Sequence, residues 1–205
     1  MSRYLGPKLR IIRRLGILPG FTTKSTNRKF SPGQHGPAKA NKKISTSDYA
    51  LRLQEKQKLR FNYGISEKQL YSYIKEARGV KGATGTLLLQ LLEMRLENIV
   101  YRLGLAPTIS SARQLVTHCH IQVNGKSVNI PSFQCKPNDL IQIKNRAQSI
   151  SLIKKNLNLS ILNKLPNHLI FDKEKLVGKI NSIILREDVN IQINELLIVE
   201  FYSRK

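Results

Sequence analysis

The hydrophobic rhythm of the chain changes at Ser47. Before it, apolar residues are scattered among Gly6-Pro7, Pro19-Gly20, Pro32-Gly33 and Gly36-Pro37. Such dipeptides favour turns over regular elements, and the segment has too few apolar side chains for a core of its own. From Ser47 the spacing becomes helical: Tyr49, Ala50, Leu53, Gln57 and Arg60 follow it, Ser47 stands where a cap belongs, and Gly64 supplies the stop. Ser66, Glu67, Lys68 and Gln69 then have the form of a capping box. It opens a helix whose Leu70, Tyr73, Ile74 and Ala77 recur at three and four residues until Gly79. The two segments predict a helical hairpin.

Residues 86–104 read as one long helix or two abutting ones. Leu92, Leu96, Ile99 and Leu103 form an apolar stripe; Arg95, Asn98 and Arg102 form a polar one. Arg102 lies two turns beyond Arg95, so the spacing predicts a ridge of guanidinium groups facing successive phosphates. Pro107 bars continuation, and Thr108 caps a new helix through His118 with Ala112, Leu115 and Val116 inward and Arg113 and Thr117 outward. Alternation around Asn124-Gly125 predicts a hairpin with Lys126 beside its turn, and Leu140–Ile143 a strand after the turn at 137–139. Further on, the pattern predicts a helix at about 150–166 and short strands near 169–171, 178–185 and 189–193. Asn194 can cap a last segment, Glu195–Ser203, whose pattern permits either helix or strand.

Charge narrows the function. Lys and Arg total 35 against 13 Asp plus Glu, a formal net charge of +22 that calls for a polyanionic partner, RNA or DNA. No acid precedes Asp48, whereas Arg3, Lys8, Arg10, Arg13, Arg14, Lys24, Arg28, Lys29, Lys39, Lys42 and Lys43 all do, which predicts a basic arm that orders on RNA. Lys56, Lys58 and Arg60 carry that charge into the first helix. The longest apolar stretch, at 87–92, is broken by Gln90 and is far too short to cross a bilayer, so no membrane partner is expected. The first residues lack the apolar core of a signal peptide.

Catalytic and metal chemistry find little support. Cys119 and Cys135 lack the paired spacing of a zinc site, and a reducing compartment fits them. His118 and His120 would share one side of a strand, but no carboxylate or further cysteine joins them nearby. Gly79 to Gly85 lacks the Gly-Lys-Ser/Thr ending of a phosphate loop. No triad and no paired carboxylates accompany them, so neither enzyme activity nor a cofactor is expected.

Residues 92–104, with Ser111, Ala112, Arg113, Gln114 and the run Ile121, Gln122, Val123, Asn124 and Gly125, resemble the S-four RNA-binding fold, a helix-turn-helix with a following β element. That fold alone is weak evidence of function, since it also occurs in pseudouridine synthases, tyrosyl-tRNA synthetases and heat-shock proteins. The likeness extends to residues 1–10, 32–36, 47–49, 55–58 and 193–203, which resemble the bacterial and plastid S-four family of small-subunit ribosomal proteins.

The resemblance implies an α+β protein: a helical domain with a basic N-terminal arm, and inserted in it an S-four fold, a helix-turn-helix packed on a small, mostly antiparallel sheet. The implied boundaries are an arm at 1–46, a helical domain at 47–91 completed by a C-terminal helix at 194–205, and an insert at 92–193. It also implies binding to a junction in the 5′ domain of small-subunit ribosomal RNA, nucleation of the subunit body, and translational accuracy through contact with ribosomal protein S-five. Messenger RNA near its point of ingress is a further implied partner, and no homo-oligomer is expected. Arg95, Arg102, Arg113, Gln114 and Lys126 would face RNA from the insert, and Gln34, His35 and Lys39 from the arm. Arg3, Lys8, Arg10, Arg13, Arg14, Lys42, Lys43, Arg52, Lys56, Lys58 and Arg60 would extend the surface. Some relatives carry a metal-binding cysteine cluster in the arm, but this arm has no cysteine. The opening residues look most like plastid forms, which implies the plastid stroma, with a bacterial cytoplasm as the alternative.

Overall fold

Capping and turn residues set most element boundaries in the computed structural model, which describes residues 4–28, 30–34, 36–37, 47–159, 165–189 and 191–203. In order these are α1 (Lys8–Leu15), α2 (Asp48–Asn62), α3 (Glu67–Gly79), α4 (Thr84–Glu93), α5 (Leu96–Arg102), α6 (Ile109–Thr117), β1 (Ile121–Val123), β2 (Lys126–Ser127), β3 (Leu140–Ile143), α7 (Ala147–Leu159), β4 (Leu169–Asp172), β5 (Val177–Ile180) and α8 (Glu195–Ser203). They fall into two units, Met1–Gly85 with Ile191–Lys205, and Thr86–Asn190.

In the first unit Ser47 accepts from the Ala50 N–H, and Ser66 and Gln69 close the capping box of α3. Helix α8 packs along α2, where Arg52 pairs with Glu200 at 2.8 Å and the Glu55 carboxylate accepts from the Asn194 N–H at 3.1 Å. Tyr202 donates to Glu67 at 2.6 Å, as does Lys56 at 2.9 Å.

The arm departs from its expectation. Residues 8–15 form a helix, and Leu15, Leu18 and Phe21 make a buried cluster. The arm does not supply that core alone. Phe61 of α2 joins it, and the Asn62 side chain accepts from the Gly20 N–H. A sequence reading that counts the arm's apolar residues by themselves leaves out this partner.

The second unit is a helix pair beside a five-stranded sheet of order β2-β1-β3-β5-β4, antiparallel throughout. Asn124 and Gly125 both take positive φ, 50° and 76°, as a two-residue hairpin turn requires. Gly178 permits close approach of the sheet to α5: a Cβ there would stand 2.7 Å from a Leu103 methyl. The α7 helix begins at Ala147, earlier than the pattern suggests, and strand β5 ends at Ile180. The expected strand at 189–193 is corrected: its described residues are irregular, preceded by a short 3-10 turn at Arg186–Asp188.

Candidate nucleic-acid interface

Residues 86–104 settle as two helices, because Arg95 adopts extended backbone (φ −71°, ψ 140°) and forms a β-bridge with Gln134. The first free N–H groups of α5, on Leu96 and Glu97, donate to the carbonyls of Phe133 and Pro131, which stabilises the break.

That break corrects the expected ridge. Arg95 is 1% exposed and lies against Glu97, which accepts from its guanidinium at 2.5 and 3.0 Å. Arg113, part-exposed, meets the same carboxylate at 2.6 and 3.1 Å, giving an Arg–Glu–Arg triad about a buried Glu97. Arg102 grips the fully buried Glu93 at 2.5 and 3.0 Å, and the Asn98 amide donates to it as well. Guanidinium pairs with such geometry are structural unless displaced, since breaking them strands a buried carboxylate. On this unit Gln114 and Lys126 remain exposed.

Beside these pairs sits His168, buried, with neither ring nitrogen hydrogen-bonded. Burial lowers its pKa below the usual value, opposed by Glu93 and Asp188. Burial and Asp139 push the Cys135 thiol up to about 12, so it stays protonated and is a poor nucleophile or metal ligand at neutral pH. His118 caps α6 and stacks on His120 with ring centroids 6.2 Å apart, while His120 Nδ1 meets Ser149 Oγ at 2.8 Å. Among the described residues no group of His, Cys, Asp and Glu could hold a metal, and no helix is long and apolar enough to cross a membrane.

The first unit presents its cations differently. Arg10 and Arg14 are exposed on α1, and Gln34 is exposed. Arg10, Arg13 and Arg28 line one cleft of about 500 Å3 with Thr26 and Pro32. Arg13 is braced there, donating to the Phe30 and Ser31 carbonyls at 3.1 Å with its guanidinium 5.0 Å from the Phe30 ring centre. Lys8 donates to the Phe21 carbonyl at 3.2 Å. On α2, Lys58 pairs with Glu55 at 2.5 Å, Arg52 with Glu200, and Arg60 donates to Gln57 at 3.2 Å, all part-exposed.

Lys56 is the exception and corrects a sequence expectation. It is 5% exposed, bound to Glu67 and 4.8 Å from the Phe201 ring centre, so it fastens α8 rather than facing solvent. Burial alone would raise the Glu67 carboxyl, but hydrogen bonds from Tyr202 and Lys56 hold it below its usual value. Arg3, His35, Lys39, Lys42 and Lys43 lie outside the described residues.

Arg28 is the residue the selection missed. The signal for it was present in the acid-free arm, but sequence alone does not bring Thr26, Arg28, Pro32 and Gly33 beside α1.

Two family descriptions match the chain: "Ribosomal protein S4/S9 N-terminal domain" over residues 3–93, and "S4 domain" over residues 94–141. The chain is similar to the small ribosomal subunit protein uS4 of Nostoc punctiforme, 60% identical over 205 residues and 100% of both chains. It is equally similar, at 60% with 100% of both chains covered, to the uS4c proteins of Rhodomonas salina and Cyanophora paradoxa.

Proposed function

The chain belongs to the small ribosomal subunit protein uS4 family, and from that premise we propose that it binds a junction in the 5′ domain of small-subunit ribosomal RNA and nucleates assembly of the subunit body. It is a structural constituent of the subunit, not an enzyme, and ribosomal RNA is its partner. The observation that carries the finer reading is the acid-free arm folded so that Arg10, Arg13 and Arg28 converge on one cleft.

RNA duplexes hide base edges in a deep, narrow major groove, so a junction is recognised through phosphates, shallow minor grooves and 2′-hydroxyls. Planar guanidiniums grip phosphate oxygens in pairs, and α1 holds Arg10 and Arg14 one turn apart. The RNA surface comprises Lys8, Arg10, Arg13, Arg14, Arg28, Gln34, Arg52, Lys58 and Arg60, with Gln114 and Lys126 on the inserted unit. Arg3, His35, Lys39, Lys42 and Lys43 extend it by family likeness. Arg95, Arg102, Arg113 and Lys56 serve the fold that carries the surface.

Contact with ribosomal protein S-five, proximity to messenger RNA and an influence on accuracy complete the proposal, with the monomer as the acting form. The plastid stroma is the proposed location, in keeping with the likeness to the uS4c proteins.

Neutralising the arginine cleft tests it. Arg10→Gln with Arg28→Gln should weaken binding to a 5′-domain transcript at every salt concentration and make the slope of log K against log salt shallower by about 1 per lost phosphate contact. An unchanged slope removes the cleft from the RNA surface.

A further inference from the structure

Between α1 and α2 lies a second cleft, of about 510 Å3, walled by Ile11, Leu15, Leu53 and Phe61. Protein interiors leave few voids larger than a water molecule. A cleft this size falls within the range of small-ligand pockets, about 300–1,000 Å3. Apolar walls at an open cleft forfeit burial and dispersion contacts unless a flat or bulky group covers them.

The polar groups at its edge narrow the occupant. Gln57 and Arg60 sit there joined by a hydrogen bond of 3.2 Å, and the Arg60 guanidinium lies 5.0 Å from the Phe61 ring centre. Gln54 also lines the cleft and has no side-chain hydrogen-bond partner among the described residues. A primary amide offers both donors and an acceptor, the mixture that the edge of a nucleobase presents in return. Arg14 completes the rim, one helical turn from Arg10 of the arginine cleft, about 6 Å along the axis.

We propose that this cleft receives one unstacked nucleobase of the bound RNA, a reading that rests on the RNA-binding function above. The base lies against the apolar wall and Phe61, its edge meets the amides of Gln54 and Gln57, and Arg14 and Arg60 take the flanking phosphates. An aliphatic or aromatic side chain of a protein partner would cover the walls but leave the Arg14 guanidinium and the Gln54 amide unanswered. Charge complementarity therefore selects the nucleotide. Such a contact reads a base in a single-stranded bulge or junction strand, whereas phosphate contacts position the RNA without specifying its sequence.

The test uses the full chain and a 5′-domain transcript of small-subunit ribosomal RNA. Leu53→Trp fills the cleft, and Gln54→Leu removes an edge partner while keeping a side chain of similar length. Loss of a stacked base should weaken Leu53→Trp roughly 10- to 100-fold, with Gln54→Leu intermediate. Both variants should lose protection of one base at its Watson–Crick edge in chemical footprinting while the backbone footprint elsewhere persists. A benzophenone residue at Gln54 should join a single nucleotide.

Wild-type affinity and base protection in Gln54→Leu, together with normal binding by Leu53→Trp, would overturn the proposal. So would a benzophenone link to a protein rather than to RNA in assembled subunits. If the wild-type chain itself fails to prefer the transcript over an unrelated duplex, the RNA-binding reading has failed; if it prefers the transcript and the variants match it, only the cleft has.

Discussion

Glu97→Ala should unfold the inserted unit selectively. Glu97 is 1% exposed and answers two guanidiniums, so its removal takes from Arg95, equally buried, the carboxylate it pairs with. Deleting one partner of a buried pair costs about 3–5 kcal/mol, because the remaining ion keeps its desolvation penalty. For a unit spanning Thr86–Asn190, each kcal/mol lowers the melting temperature by about 4–8 °C, so a fall on the order of 15–30 °C is expected. Circular dichroism melts of the full chain give the shift, and hydrogen exchange shows which unit opens. Replacing the whole triad, Arg95→Met with Glu97→Leu and Arg113→Leu, should cost little or stabilise by about 1–4 kcal/mol, since no ion is then stranded. A loss below about 1 kcal/mol in Glu97→Ala, the worth of an exposed pair, would refute the burial argument. So would a triad variant that folds normally yet loses most of its RNA affinity, for then the arginines would be meeting phosphates.

Two further outcomes follow from the same unit. Burial is the main cause that holds the His168 pKa in the folded chain below its ordinary 6.5. The unfolded chain therefore binds a proton that the folded one does not, and stability is full above pH 6.5 and falls as pH drops below it. His120, also depressed by burial, adds to the same window. Urea unfolding at pH 8 and pH 5.5 should show this loss, and His168→Leu should reduce it; an equal loss in the variant would acquit His168. Gly178→Ala should destabilise by about 1–3 kcal/mol through the clash with the buried Leu103, read from the urea midpoint, whereas an unchanged midpoint would mean that the sheet shifts freely away from α5.

Local signals were the legible part. Ser47, Ser66 with Gln69, Thr108 and Asn124-Gly125 each announce an element through chemistry confined to a few neighbouring residues, and each stands where the pattern puts it. Signals that depend on distant partners were not legible. The fate of Arg95 is decided by Gln134 and by the carbonyls of Pro131 and Phe133, some forty residues away in sequence. Helical periodicity therefore continues a stripe that the backbone interrupts. Lys56 follows the same logic: its burial depends on Phe201 and Tyr202 of α8. The arm's buried cluster likewise draws on Phe61, and its Gly20 N–H on Asn62, both far along the chain. Charge counting finds where cations are plentiful. Only the fold separates those that neutralise Glu93, Glu97 and Glu67 from those left to meet a polyanion.

Binding of the full chain to a 5′-domain transcript of small-subunit ribosomal RNA, beside an unrelated duplex of equal length and across a salt series, is the most direct measurement. With about eight phosphates neutralised, the slope of log K against log salt should be roughly −6 to −7, and the transcript should be preferred. Equal binding to both RNAs, or a slope near about −2, would contradict recognition by an extended, shaped cationic surface.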